Sequence, residues 1–95
     1  MSSHEKKWSV DIVIDEHDSE EGGSRTRAEA RLRTQDTTSL VGVGMARRNP
    51  HDTEIPEIGD ELATARALAD LAHQLIETTV ADLEAATRKT VHLDA

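Results

Sequence analysis

Trp8, Val10, Ile12 and Ile14 alternate with Ser9, Asp11 and Asp15 near the start of the chain. A period of two belongs to a strand with one apolar and one polar face, and Val13 is the one apolar residue out of step. This predicts a first strand with Trp8 in the core-facing set. The segment EHDSEEGGS, residues 16–24, is acidic, holds two adjacent glycines and lacks apolar periodicity, so it reads as a hairpin loop. In RTRAEARLR, residues 25–33, Thr26, Ala28, Ala30 and Leu32 take one face and Arg25, Arg27, Glu29, Arg31 and Arg33 the other, which predicts a second strand. If partner numbers in this hairpin sum to 42, Asp15 opposes Arg27 and Asp11 opposes Arg31. TQDTTS, residues 34–39, supplies turn formers, and LVGVGMAR, residues 40–47, reads as a third strand rich in β-branched residues. Gly42 and Gly44 share a face of it, which usually marks the close approach of another backbone or a bulge.

RNPHDTEIPEIG, residues 48–59, contains both prolines and predicts a connecting loop. From Asp60 to Arg88 the period changes: Leu62, Ala65, Leu68, Ala69, Ala72, Leu75, Ile76, Val80 and Leu83 recur at helical steps. Ala65, Ala69 and Ala72 fall near the middle of the apolar arc, with Leu68, Leu71 and Leu75 along one edge and Leu62, Ile76 and Val80 along the other. Small central residues would let the helix settle close to a sheet. Glu57, Asp60 and Glu61 near its start and Arg88 and Lys89 near its end suit the helix dipole, and Thr78 and Thr79 are a candidate kink. The remaining wedge allows the pairs Arg66–Asp70, His73–Glu77 and Glu84–Arg88 and reads as solvated. Residues 1–6 and 89–95 read as frayed tails, with Val91 and Leu93 available to cover a core edge. No repeat or second apolar cluster appears, so residues 1–95 form a single α+β domain. The expected architecture is an antiparallel sheet of about three strands with one long C-terminal helix on one face, in β-β-β-α order.

Composition narrows the function. The chain has 95 residues, 36% of them hydrophobic, with a single aromatic, Trp8, so its core must be thin. Without cysteine there is no disulfide framework or thiolate chemistry, and a reducing cytoplasm is the expected setting. No export signal follows the MSSHEKKW start and no apolar run approaches the ~20 residues that span a bilayer, so no membrane partner is expected. The net charge of −8 makes this an acidic protein and opposes general affinity for nucleic acid. Phe and Tyr are absent, which removes the usual stacking platforms for single strands. Residues 25–48 nevertheless carry six arginines against Glu29 and Asp36, a local +4 that leaves −12 for the remainder.

Candidate chemistry is sparse. His4, His17, His51 and His92 fall in loops or tails and His73 stands alone on the helix, so no two have metal-ligand spacing on one element. No serine lies in GxSxG, and Gly42-Val43-Gly44 is only a fragment of a nucleotide-binding loop. Asp60-Glu61 is accounted for by the helix start. These observations argue against an enzyme and imply no cofactor, although a site assembled between subunits stays open. Cross-strand carboxylates would neutralise Arg27 and Arg31, leaving Arg25, Arg33, Arg47 and Arg48 as the candidate surface for an anion, nucleotide or acidic partner. The helix offers the alternative. Its apolar arc, from Leu71 round to Leu62, exceeds the ~100° stripe that one sheet needs, and Leu68, Leu71 and Leu75 form the candidate interaction face. A non-catalytic accessory domain working through protein contact, as a homo-oligomer or with a protein partner, is the leading expectation.

WSVDIVIDE, RTRAEARL, LVGVGMARRNP and PEIGDELATARALADLAHQLI, followed by VHL, together resemble a family of small actinobacterial proteins, domain of unknown function 1876. The similarity runs from Trp8 to Leu93. It implies a fold like that of the double-stranded-RNA-binding domain. Domains of that fold which bind RNA usually place lysines at the start of the C-terminal helix, where this chain has Glu57, Asp60 and Glu61. The resemblance supplies a fold and no site residues.

Overall fold

Strands β1 (Trp8–Asp18), β2 (Ser24–Thr34) and β3 (Thr37–Arg48) precede a single helix, α1 (Pro56–Asp94). The computed structural model describes residues 3–20, 22–35, 37–50 and 55–94, the side chains at 37, 38 and 89–94 apart. The strands form one antiparallel sheet in the order β1-β2-β3, which gives the α+β architecture that the periodicity predicts. Between β1 and β2, Trp8 opposes Thr34 and Asp18 opposes Ser24; the sum of 42 holds throughout, so Asp15 faces Arg27 and Asp11 faces Arg31.

The strands and the helix outrun the hydrophobic pattern. Glu16, His17 and Asp18 continue β1, because a ladder asks only for backbone partners and these residues pair with Thr26, Arg25 and Ser24. The first loop is therefore residues 19–23, with Gly22 at φ 95° and its N–H donated to the Ser19 carbonyl at 3.0 Å. Thr34 pairs with Thr37, so the second hairpin turns on two residues, and Gln35 takes the left-handed φ of 50° that such a turn favours. Pro56 is the first residue of α1 and not part of a loop, since its fixed φ and missing N–H suit a helix start. At the other end α1 continues to Asp94, where a frayed tail from residue 89 was expected. Residues 51–54, with His51, and the side chains of Val91, His92 and Leu93 lie outside the described residues.

Ala28, Ala30, Leu32 and Ala46 of the sheet and Ala63, Ala67 and Leu71 of the helix make the buried core, with Leu40 and Leu75 packed against it. Gly42 and Gly44 lie directly beneath α1. A Cβ on Gly42 would overlap the Ala67 carbonyl and stand 2.8 Å from the Leu71 Cβ, and one on Gly44 would overlap the Ala63 carbonyl. Close backbone approach is thus the reason for both glycines. The alanines that permit it are Ala63 and Ala67; Ala65, Ala69 and Ala72, expected at the centre of the contact, are exposed. The apolar arc is wide enough to place its middle on either side, and the glycine pair decides the outcome.

Helix α1 lies over β2 and β3 and scarcely touches β1. Its 39 residues extend about 58 Å, against about 37 Å for an 11-residue strand, so it overhangs the sheet. The radius of gyration is accordingly 19.3 Å, where a compact chain of this length would have about 12–13 Å.

Candidate interaction surface

Two apolar surfaces stay open because the single helix covers two of three strands. The first is the helix-side face of β1, where Trp8 is 61% exposed and Val10, Ile12 and Ile14 are 37–40% exposed. The alternation names the correct face of this strand, but among the described residues nothing covers it, so Trp8 is not a core residue. The exposed Leu68 and the half-buried Leu75 lie along α1 beside the core residue Leu71.

The second surface is the outer side of α1. At about 100° per residue, Ala63, Ala67 and Leu71 point within about 40° of the sheet. Ile58, Ala65, Ala69, Ile76 and Leu83 point within about 20° of the opposite direction, with Leu62, Ala72 and Val80 within about 40° of it. All eight are exposed, Ile76 at 62% and Leu83 at 63%. A helix lying on a sheet ordinarily turns polar residues outward; one that is apolar on both sides has a second surface to bury.

The polar wedge between these faces has a structural task. Gln74 Nε2 donates to the Val41 carbonyl at 2.7 Å, the Val43 N–H donates to Asp70 Oδ2 at 2.8 Å, and Arg66 Nη1 donates to the Met45 carbonyl at 2.7 Å. Alternate residues of β3 thereby find partners along the outer edge of the sheet. This replaces the Arg66–Asp70 pair expected on a solvated face, while His73–Glu77 (2.9 Å) and Glu84–Arg88 (3.6 Å) form as expected. Thr79 bonds back to the Leu75 carbonyl at 2.9 Å inside a continuous helix.

The arginines are drawn apart. Arg27 and Arg31 both pair with Glu29 between them, at 2.5 and 2.6 Å, and not with the opposing Asp15 and Asp11, so one of their two charges is offset. These two guanidiniums hold the Glu29 carboxyl below the usual carboxylate range. Asp11 instead reaches diagonally to Arg33, at 3.4 Å, so Arg33 is not a free cation. Arg48 donates to the Asn49 and Gly22 carbonyls, at 3.3 and 2.8 Å, and braces the first hairpin loop. Arg25 and Arg47 oppose each other across β2 and β3, both exposed, and among the described residues neither has an ion-pair partner. Of the four candidates Arg25, Arg47 and Arg48 line one open depression at this end of the sheet; Arg33 lies eight residues along β2 from Arg25, about 27 Å away.

A cleft of about 160 Å³ opens where α1 begins, floored by Thr26 and Ala46 and walled by Arg48, Ile58 and Leu62. It is smaller than the ~300 Å³ at which small-molecule sites begin, whereas a more open depression of about 340 Å³ beside His17, Asp18, Arg25 and Arg47 reaches that size. Among the described residues no three histidines or carboxylates gather as a metal site, and no helix is long and apolar enough to cross a membrane.

The sequence profile of the Rv2632c-like family matches residues 6–92. The chain belongs to the Rv2632c-like family. It is 50% identical over 86 residues to the uncharacterized protein Mb1767 of Mycobacterium bovis, covering 90% of this chain and 85% of that one. The uncharacterized protein Rv2632c of Mycobacterium tuberculosis is 49% identical over 86 residues, with 90% and 86% covered. The crystal structure of Rv2632c superimposes with a TM-score of 0.75 at 47% identity, over 92% of this chain and 96% of that one. An Rv2632c-like chain thus has mycobacterial relatives, in keeping with the actinobacterial resemblance, and shares its sheet-and-helix fold with a solved relative.

Proposed function

We propose that this protein works by binding protein and carries out no chemistry of its own, its contact surface being the outer face of α1 with the open face of β1. One observation supports this reading above others: α1 is apolar on two opposite sides, and only the side bearing Ala63, Ala67 and Leu71 meets the sheet. A contiguous exposed apolar surface of this kind characteristically marks a site of protein contact. The engagement of Arg27, Arg31, Arg33 and Arg48 with groups of the sheet and its loops leaves few charged side chains for catalysis. The test is to immobilise the wild type and the doubly charged variant Ile76→Glu/Leu83→Glu and compare what each retains from a lysate, with added copies of the chain included. Retention of a protein, this chain among them, by the wild type alone is expected. Equal retention by a folded variant overturns the reading.

A second reading, anion binding, is favoured by the adjacent exposed guanidiniums of Arg25 and Arg47 at one end of the sheet. It predicts salt-sensitive binding of a polyphosphate that is lost in Arg25→Glu/Arg47→Glu.

A further inference from the structure

The outer stripe of α1 is laid out symmetrically. From Ile58 the apolar residues follow at Leu62, Ala65, Ala69, Ala72 and Ile76, alternating steps of four and three, and resume at Val80 and Leu83. Such spacing makes a straight seam for a second helix. Leu62 and Ile76 stand seven residues before and after Ala69, and Ile58 and Val80 stand eleven before and after it. Large residues therefore lie at equal distances from a small centre of Ala65, Ala69 and Ala72. A surface with this property is complementary to its own copy run in the opposite direction, which is what a two-fold interface requires.

We infer that a second copy of this chain covers the outer stripe, its helix antiparallel to the first, with the two-fold axis passing at Ala69. The inference rests on the protein-contact reading and names the partner. In this register Ala69 meets Ala69, Leu62 meets Ile76 and Ile58 meets Val80. The central alanines let the helices approach at the short end of the 8–10 Å range of helix packing. In this register Glu61 comes level with Glu77 of the other copy, the two carboxylates standing on opposite flanks of the seam. The stretch shared by the two copies in this register, Ile58 to Val80, is about 33 Å long and a helix is about 12 Å across, giving roughly 400 Å² per copy and about 800 Å² for the pair. That lies at the boundary between incidental contacts and the smallest specific interfaces. A parallel pair would instead stack Leu62 on Leu62 and Ile76 on Ile76, and it would gain nothing from the spacing about Ala69.

The chain has no cysteine, so single cysteines report on this geometry without background. Ala69→Cys, Leu62→Cys and Ile76→Cys are made separately, each is checked for the wild-type circular dichroism spectrum, and each is exposed to mild copper-phenanthroline oxidation. Ala69→Cys should yield one disulfide-linked species of twice the chain mass. Leu62→Cys and Ile76→Cys should link poorly alone and efficiently when mixed, since a disulfide needs Cα atoms within about 7 Å. Efficient linkage of Leu62→Cys to itself overturns the antiparallel arrangement. Absence of linkage in all three, with a wild type that stays monomeric, overturns the second copy as partner. The protein-contact reading then stands or falls separately on whether the immobilised wild type retains a different protein.

Discussion

Asp70 accepts the Val43 N–H at 2.8 Å, so a carboxylate on the helix closes the outer edge of the third strand. Asp70 also takes a bond from Gln74 Nε2 at 3.2 Å, which holds both side chains against the edge. Asp70→Ala should lower stability by about 1.5–3 kcal/mol, the scale of a hydrogen bond to a charged group. Urea denaturation measures the loss, and hydrogen exchange should show lower protection at Val43. Unchanged protection there would mean that the contact contributes nothing.

Gly44 has no room for a methyl group beneath the Ala63 carbonyl. Backbone cannot swing aside as a long side chain can, so Gly44→Ala should destabilise by about 3 kcal/mol, the upper end of overpacking costs. The urea midpoint checks this. A loss below about 0.5 kcal/mol, the range of ordinary surface changes, would show that helix and sheet do not meet as described.

Leu71 is 4% exposed and Leu68 is 42% exposed, although the sequence places them on the same edge of the apolar arc. Leu71→Ala should therefore cost about 2–5 kcal/mol and Leu68→Ala only a fraction of that, as read by thermal or chemical unfolding. Leu71→Lys would report unfolding and not a lost partner, so it is unsuited to testing association.

Glu29 has a depressed folded-state pKa because it bridges Arg27 and Arg31. A depressed carboxylate stabilises the fold above its unfolded pKa, and that contribution disappears as the pH falls through the folded value. Glu29→Gln should flatten the acid limb of the stability curve relative to wild type while leaving the neutral limb parallel. It should also unmask two guanidiniums and strengthen salt-sensitive binding of a polyanion, measurable by fluorescence anisotropy. A variant with the wild-type acid limb would show that the bridge is energetically silent.

The sheet was legible because alternation fixes which face each side chain takes, and the constant sum of 42 in the first hairpin follows from that parity together with a short loop. Gly42 and Gly44 were legible as close-approach positions. The bounds of β1 and α1 were not, since Glu16 to Asp18 pair through backbone alone and Pro56 is as suited to a helix start as to a loop. Which side of the helix meets the sheet was hidden by an arc of alanines and leucines that offers two nearly equivalent faces. The glycine pair could have identified it, because Ala63 and Ala67, four apart, are the small pair that two glycines two apart on a strand can accept. The positions of Arg66, Asp70 and Gln74, also at steps of four, carried the other missed signal, a polar row matched to one strand edge. Among the arginines, the exchange of partners between Asp11 and Glu29 depends on side-chain reach, which pairing register does not specify.

The most direct test of the account is the mass of the 10.4 kDa chain in solution, by light scattering over a hundredfold range of concentration at low and at moderate salt, beside Ile76→Glu. The account predicts a mass twice that of one chain, insensitive to salt because apolar residues make the seam, and a single-chain mass for the folded Ile76→Glu variant. A wild type that stays at the single-chain mass throughout, indistinguishable from the variant, would contradict it.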